Sequence, residues 1–234
     1  MTEKEFINAL KELDITPSDK QLEQLNTYYE LLIEWNEKIN LTAITDKKDV
    51  YLKHFYDSLT IIKSIDLTKY ASLCDVGTGA GFPGIVLKIF FPDLKITLID
   101  ALKKRLIFLD EVINKLELKD INTIHARVEE YGVKNREQYD IVVARAVANL
   151  PILLEYLTPI AKTNGYVITM KGDVQEELAK STHAIQELNL NLNKNVEFQL
   201  PYENSKRTIL VFQKKHSTNS KYPRRYAEIE KRPL

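Results

Sequence analysis

The chain has 234 residues, of which 44% are hydrophobic and 28% charged, which is the composition of an ordinary globular protein. One cysteine excludes an internal disulfide, the four histidines lack metal-ligand spacing, and 33 Lys and Arg against 33 Asp and Glu give no net charge that would indicate nucleic-acid binding. No apolar run approaches the roughly 20 residues that span a membrane, and no signal-peptide core opens the chain, so we expect a cytoplasmic protein. We also expect no metal and a monomer.

Residues 1–66 have the apolar spacing of helices. The first stripe consists of Phe6, Leu10 and Leu13. A second helix is predicted to begin after Ser18, which forms a capping-box pattern with Gln21. Its apolar stripe consists of Leu22, Leu25, Tyr29, Leu32 and Trp35. Asp46 is predicted to cap a third helix, with a stripe of Leu52, Phe55, Leu59 and Ile62. These residues are expected to form a small helical region, 1–66, that packs on the remainder.

From Ala71 onward the pattern alternates between strands and helices. The predicted strands are Ser72–Val76, Lys95–Ile99, Ile121–His125, Asp140–Arg145 and Tyr166–Met170. Helices are predicted at about 83–91, 103–116, 149–162 and 173–188. Such alternation is typical of an α/β fold with a parallel sheet covered on both faces. Two further strands, Val196–Leu200 and Thr208–Gln213, are joined by a loop too short for a helical crossover and should pair antiparallel. We expect this domain to span residues 67–214.

The last residues form a local cationic patch. From Lys214 to Leu234 there are seven Lys and Arg and only two acids. Aromatic side chains lie between the cations, as in many surfaces that contact RNA. Residues 215–234 are therefore predicted to be a basic tail near the substrate face, or alternatively a segment folded back for structural reasons.

The most informative motif is the glycine-rich turn Asp75–Gly84, DVGTGAGFPG, which lies between a strand and a helix. Its last six residues match the dinucleotide pattern G-x-G-x-x-G. However, Pro83 removes an N–H that a pyrophosphate would use, and Asp75 would place a carboxylate beside the phosphates. A carboxylate suits the amino group of S-adenosylmethionine, which we favour over a dinucleotide or a purely structural turn. Asp100 ends the next strand and could accept the ribose hydroxyls of either cofactor.

Stretches over most of the chain match one family in order and spacing. They are Trp35–Thr42, His54, Asp57–Leu59, Asp75–Gly84, Leu98–Asp100, Lys103–Arg105, Phe108–Leu109, Arg127–Glu129, Ala144–Ala148, Lys171–Gly172, Tyr222–Arg225 and Pro233–Leu234. In these stretches the chain resembles the bacterial methyltransferases that modify guanine N7 in 16S rRNA, also called glucose-inhibited division protein B. The resemblance implies a Rossmann-like, S-adenosylmethionine-dependent methyltransferase sheet, mostly parallel with an antiparallel last strand, and an N-terminal helical extension.

The resemblance also implies a set of site residues. Cofactor contacts are expected at Gly77, Phe82, Asp100, Val128, Glu129 and Arg145, together with Asp75 and Gly79 of the turn. Arg145 would face the reaction centre, although a structural salt bridge is the alternative. No catalytic base is assigned, because guanine N7 has a free lone pair and no proton.

The expected partner is 16S rRNA or the small ribosomal subunit; a different RNA or a small molecule is the alternative substrate. RNA contacts are predicted at Lys103, Lys104, Arg105, Lys171, Arg224 and Arg225. For Lys103–Arg105 a solvated helix face is an equal alternative. His54 and Asp57 are interpreted either as a buried hydrogen-bonded pair or as groups at the mouth of the substrate site.

Overall fold

The strands predicted from Ala71 onward lie in one sheet. The structure, a computed structural model, describes residues 1–145 and 147–234. Within these residues seven strands are ordered β3-β2-β1-β4-β5-β7-β6. The strands are β1 Ser72–Val76, β2 Lys95–Asp100, β3 Ile121–His125, β4 Tyr139–Arg145, β5 Ala161–Lys171, β6 Leu190–Gln199 and β7 Lys206–Lys214. The first five are parallel, and β7 runs antiparallel to both β5 and β6, which confirms the predicted α/β sheet.

Strand β1 shows how the sheet contributes to a core on each face. Leu73 belongs to one buried apolar cluster and Cys74 to the other, because successive side chains of a strand point to opposite faces. The connecting helices are α5 Gly84–Phe90, α6 Lys103–Lys115, α7 Val128–Lys134, α8 Leu150–Leu157, α9 Gln175–Lys180 and α10 Thr182–Glu187. Strand order reverses between β1 and β4, and the crevice beyond the carboxyl ends of these strands is where open α/β sheets bind ligands.

The N-terminal residues are helical, as predicted. Helix α1 is Glu3–Leu10, a 3-10 turn covers Lys11–Leu13, α2 is Asp19–Ile39 and α3 is Lys47–Val50. The capping box before α2 is present, since the Gln21 amide donates to Ser18 Oγ at 3.3 Å and the Ser18 amide to Gln21 Oε1 at 2.9 Å. Asp46 caps α3 by accepting from the amides of Lys48 and Asp49.

The prediction of a third regular α-helix after Asp46 was wrong, because the segment is helical but changes its helix type along its length. After α3 the chain forms a π-helical turn, Tyr51–Tyr56, then α4 Asp57–Leu59 and a 3-10 turn Thr60–Lys63. In the π turn the Asp57 amide bonds to the carbonyls of Leu52 and His54, and the Lys53 carbonyl accepts a hydrogen bond from Arg145 instead. The irregular turn thus presents a backbone acceptor to β4.

Three other predicted boundaries need correction. The helix predicted at 149–162 ends at Leu157, after which a 3-10 turn leads into β5 at Ala161, because Ala161 already pairs with Tyr139 of β4. The segment predicted as one helix over 173–188 is two short helices. Strand β6 begins at Leu190 rather than Val196, since it pairs with β7 over its whole length and, as an edge strand, tolerates exposed polar side chains.

The C-terminal tail folds back onto the α7 and α8 side of the sheet. Its helix, α11, covers Tyr226–Lys231, and Tyr222 and Ile229 are buried in the same apolar cluster as Cys74. The Arg136 guanidinium donates to the carbonyls of Thr218, Asn219 and Tyr222. The domain limits stated above stay predictions. Among the described residues, no helix combines the length and the apolar character needed to cross a bilayer.

Candidate active site

The glycine-rich turn is held from below by Asp75. Its Oδ2 accepts from the Gly84 amide at 2.9 Å and from Thr78 Oγ1 at 2.7 Å. A Cβ on Gly84 would lie 2.8 Å from this same oxygen and 2.3 Å from Leu98 Cδ2, so only glycine fits at the first position of α5. Helix α5 begins at Gly84, and the hydrogen bond from its amide to Asp75 caps this first position. Asp75, near the end of β1, therefore fixes the start of the helix.

The second oxygen of Asp75 is buried and has no hydrogen-bond partner among the described residues. Burial raises the pKa of this carboxyl to about 6, while the hydrogen bonds from Thr78 and Gly84 oppose the shift. The side chain is fully buried and is not among the residues that line the cavity above the turn. In this structure Asp75 supports the turn, and its predicted contact with a cofactor amino group stays untested.

A first cavity of about 260 Å³ opens above the turn, at the carboxyl ends of β1 and β2. Four of the predicted cofactor residues line it together: Gly77, Asp100, Val128 and Glu129. Other lining residues are Ile99, Ala126, Arg127, Val147, Ala148, Tyr156, Tyr226 and Glu230. Gly77 has φ +65°, and a Cβ there would lie 2.7 Å from Val147, so a side chain at this position would overlap Val147 in the cavity wall.

Two buried carboxylates give the first cavity its polar character. Asp100 is 3% exposed and accepts from the Gly79 amide at 2.9 Å and from the Leu102 amide at 2.8 Å. Gly79 thus ties the turn to β2 instead of lining the cavity. Glu129 is 7% exposed and is the second residue of α7, directly after Val128. Buried acceptors beside an apolar wall suit a ligand with hydroxyl groups and a flat ring, such as a nucleoside.

A second cavity of about 290 Å³ lies on the other side of β4, around Arg145. Its residues are Ile44, Lys53, His54, Asp57, Arg145, Met170, Lys171, Gly172 and Arg207. Arg145 Nη1 donates to the Lys53 carbonyl at 2.9 Å and to Asp57 Oδ2 at 3.2 Å. Arg207 Nε donates to the other Asp57 oxygen at 3.0 Å. One carboxylate therefore bridges two arginines. Arg145 forms the salt bridge that was the structural alternative for it, and its contact with the cofactor stays a prediction.

His54 is a buried and neutral member of this cluster. His54 Nδ1 lies 3.2 Å from Arg145 Nη2 and 3.2 Å from the Lys53 carbonyl oxygen, and its Nε2 lies 2.9 Å from Thr42 Oγ1. Burial and the nearby Arg145 charge lower the pKa of His54 to about 3. The imidazole stacks on Phe82 at 4.4 Å, and Arg145 lies 5.3 Å from the same ring. Phe82 therefore packs behind Arg145 and His54 and is not among the residues that line the second cavity, so its contact with the cofactor stays a prediction.

The predicted RNA-binding cations have different surroundings. Lys103 and Lys104 are exposed in the first turn of α6, and Arg225 is exposed on the tail. Arg105 Nη1 lies 3.3 Å from Asp100, and Lys171 Nζ lies 2.6 Å from the Ala148 carbonyl and 3.0 Å from Glu177.

Among the cations predicted to contact RNA, Arg224 fits that role least well, because it pairs with Glu155. Its guanidinium forms contacts of 2.6–3.2 Å with this carboxylate, which is fully buried. This pair gives Arg224 a structural role.

Sequence reasoning missed two cations of the second cavity, Lys53 and Arg207. Lys53 contacts Arg145 across 92 positions, and Arg207 contacts Asp57 across 150. No local motif marks either residue, and only the fold brings them together.

The two cavities are linked by a third one that shares lining residues with each of them. A shallow depression between them is lined by Val147 and Ala148 of the first cavity and by Lys171 of the second. Ala146, which belongs to the predicted motif Ala144–Ala148, lies outside the described residues. The carboxyl edge of the sheet therefore carries an acidic cavity next to a basic one.

Solved structures share this fold at low sequence identity. A SAM dependent methyltransferase from Aquifex aeolicus superposes with a TM-score of 0.56 and 18% identity, over 75% of this chain and 97% of that one. A ribosomal protein L11 methylase from Lactobacillus delbrueckii subsp. bulgaricus gives 0.53 and 19%, over 74% and 81%. These likenesses support the Rossmann-like methyltransferase fold.

Sequence comparisons place the chain more narrowly. The family model described as rRNA small subunit methyltransferase G matches residues 21–207. A protein named ribosomal RNA small subunit methyltransferase G from Lysinibacillus sphaericus is 47% identical over the full length of both chains. One of the same name from Bacillus cereus is 49% identical over all of this chain and 99% of that one. The chain therefore belongs to the rRNA small subunit methyltransferase G family.

Proposed function

We propose that this protein transfers the methyl group of S-adenosylmethionine to N7 of a guanine in the 16S rRNA of the small ribosomal subunit. The observation that carries this is the pair of adjoining cavities at the carboxyl edge of the sheet. The acidic first cavity suits a nucleoside-containing cationic cofactor. The second, with Lys53, Arg145, Lys171 and Arg207, suits a nucleotide with its phosphates. Family membership supports rRNA of the small subunit as the substrate.

The residues of the first cavity fit S-adenosylmethionine. Asp100 would accept the ribose hydroxyls, Val128 and Glu129 would lie along the adenine, and Gly77 lets a ligand approach the backbone. When bound, the cofactor supplies an activated methyl group on a positively charged sulfur. Gly79 and Asp75 hold the turn in place from behind.

The chain's own groups in the second cavity position the substrate without removing a proton. Guanine N7 attacks through its lone pair, so no base is required. His54 is held neutral by burial and by Arg145, and Asp57 is occupied by two arginines, so neither is poised as a general base. Catalysis then rests on alignment and on exclusion of water. The exposed Lys103, Lys104 and Arg225 would contact the RNA backbone outside the cavity.

The test is methyl transfer to defined substrates. Labelled S-adenosylmethionine is incubated with the protein and with small subunits that lack the modification, free 16S rRNA, or transfer RNA. We expect label in 16S rRNA. Label in transfer RNA or in a small molecule alone would favour the alternative substrates, and binding of NADH in place of S-adenosylmethionine would favour a dinucleotide enzyme. Sedimentation analysis would test the expected monomer.

A further inference from the structure

The C-terminal helix α11 contributes to the first cavity although it lies beyond the residues that the family model matches. That match ends at residue 207, whereas α11 covers Tyr226–Lys231. Tyr226 and Glu230 both line the first cavity, as do Asp100 and Glu129. The two tail residues are four positions apart and therefore lie on the same face of the helix.

The tail is fixed to the domain before Tyr226 and again between Tyr226 and Glu230. Before α11, the Arg224 guanidinium pairs with the buried Glu155, and Tyr222 is buried. Within α11, Ile229 is fully buried in the apolar cluster of that face. Tyr226 and Glu230 are therefore held at the cavity, although both are exposed to solvent.

Each residue offers a distinct interaction. The Tyr226 ring is 49% exposed, and the Arg127 guanidinium lies 5.1 Å from its centre, so ring and cation form one wall of the cavity. Such a wall suits the flat base of a nucleoside. Glu230 adds a third carboxylate. Asp100 has Arg105 at 3.3 Å and Glu129 has Arg127 at 3.7 Å, whereas Glu230 approaches the Tyr156 hydroxyl at 3.5 Å.

We propose that α11 is part of the cofactor-binding site, with Tyr226 covering the nucleoside and Glu230 selecting the cofactor over its product. This inference rests on the proposed function. S-adenosylmethionine has a net charge of about +1 at neutral pH because of its sulfonium, whereas S-adenosylhomocysteine has lost that charge. A carboxylate at the cavity therefore attracts the cofactor more than the product, which favours release of the product after each turnover.

The expected effects are moderate because both side chains contact solvent. A single exposed carboxylate near a cationic ligand, in a medium with a dielectric constant of about 40–80, changes the affinity for that ligand roughly two- to fivefold. Loss of a half-exposed aromatic cover lowers affinity roughly five- to tenfold, at the lower end of the range for base stacking.

The test is titration calorimetry of the full-length protein with S-adenosylmethionine and with S-adenosylhomocysteine. Glu230→Gln should weaken binding of the cofactor two- to fivefold and leave the product affinity nearly unchanged. Tyr226→Ala should weaken both ligands to a similar degree. Glu228→Gln is the matched control, since Glu228 is an exposed acid of α11 that does not line the first cavity, and it should change neither affinity.

The outcomes separate this inference from the proposed function. If the unmodified protein binds both ligands and the Tyr226 and Glu230 variants bind them equally well, α11 is not part of the site, while the proposed function stands. Equal losses for both ligands in Glu230→Gln would refute the charge selection. If the unmodified protein binds neither ligand, the proposed function itself fails.

Discussion

The buried carboxyl of Asp75 should make the protein less stable as the pH rises from about 4 to about 6. Burial raises the pKa of this group from 3.8 to about 6 in the folded chain. Between these values the folded state keeps a proton that the unfolded chain has already released. The free energy of unfolding therefore decreases with increasing pH in this window. The full contribution is present below pH 3.8 and is lost once the pH has passed 6.

The size of the effect follows from the difference of about two pKa units, which corresponds to about 3 kcal/mol. The comparison variant is Asp75→Asn, which keeps an oxygen acceptor for the Gly84 amide and the Thr78 hydroxyl but cannot ionise. Urea unfolding followed by circular dichroism, at several pH values from 4 to 7.5, gives the free energy of unfolding of both proteins.

The unmodified protein should lose about 2–2.5 kcal/mol relative to Asp75→Asn between pH 4 and pH 7, since part of the total is already lost at pH 4. Asp93→Asn, at an exposed turn position, is the control and should show no such trend against the unmodified protein. A difference between the Asp75 proteins that stays constant over this range would refute the assignment of a raised pKa to this carboxyl.

Three further substitutions test other parts of the account. Arg224→Ala should lower the free energy of unfolding by about 2–3 kcal/mol, because it leaves the fully buried Glu155 without a counter-charge. Partial exposure of the arginine and the remaining hydrogen bond from the amide of residue 224 keep the loss below that of a wholly buried pair. Its neighbour Arg225 is exposed, and Arg225→Ala should change stability by less than about 0.5 kcal/mol, so equal effects on denaturant unfolding would contradict the structural role of Arg224. Asp57→Asn should slow methyl transfer roughly 10- to 100-fold, because the two arginines that it bridges lose their alignment. The affinity for the cofactor, measured by calorimetry, should stay within about twofold. A loss of cofactor affinity as large as the loss of rate would mean that Asp57 belongs to the cofactor site. Gly84→Ala should destabilise the protein by about 1–3 kcal/mol in a thermal or urea transition, since its methyl group would overlap neighbouring atoms; a stability equal to the parent would show that the turn can give way.

Local patterns were sufficient for much of the fold and for half of the site. The turn Asp75–Gly84 is a contiguous strand–turn–helix unit, and its acid, glycines and proline carry the information for it in ten residues. The capping box at Ser18 and Gln21 is equally local. Asp100 could be predicted because the carboxyl ends of adjacent parallel strands meet at one edge of the sheet.

Contacts between distant parts of the chain could not be predicted in this way. Arg145 meets Lys53 and Asp57 only because a π turn, which no sequence pattern marked, lies against β4. Likewise the charge of Arg224 suggested RNA binding, because nothing near it in sequence reveals that Glu155 is buried 69 positions earlier. The first residues of β6, from Leu190 to Asn195, could not be predicted as a strand because most of them are polar, as an edge strand allows.

The central claim, transfer of a methyl group to guanine N7 in 16S rRNA, is tested most directly by mapping the product. Methylation at N7 leaves the guanine ring positively charged and open to borohydride reduction, after which aniline cleaves the RNA strand at that nucleotide. Small subunits lacking the modification are incubated with S-adenosylmethionine and the protein, and the rRNA is then treated and analysed by primer extension. We predict cleavage at a single guanine of 16S rRNA that requires both protein and cofactor. Labelled 16S rRNA that resists cleavage, or rRNA without label, would contradict the account.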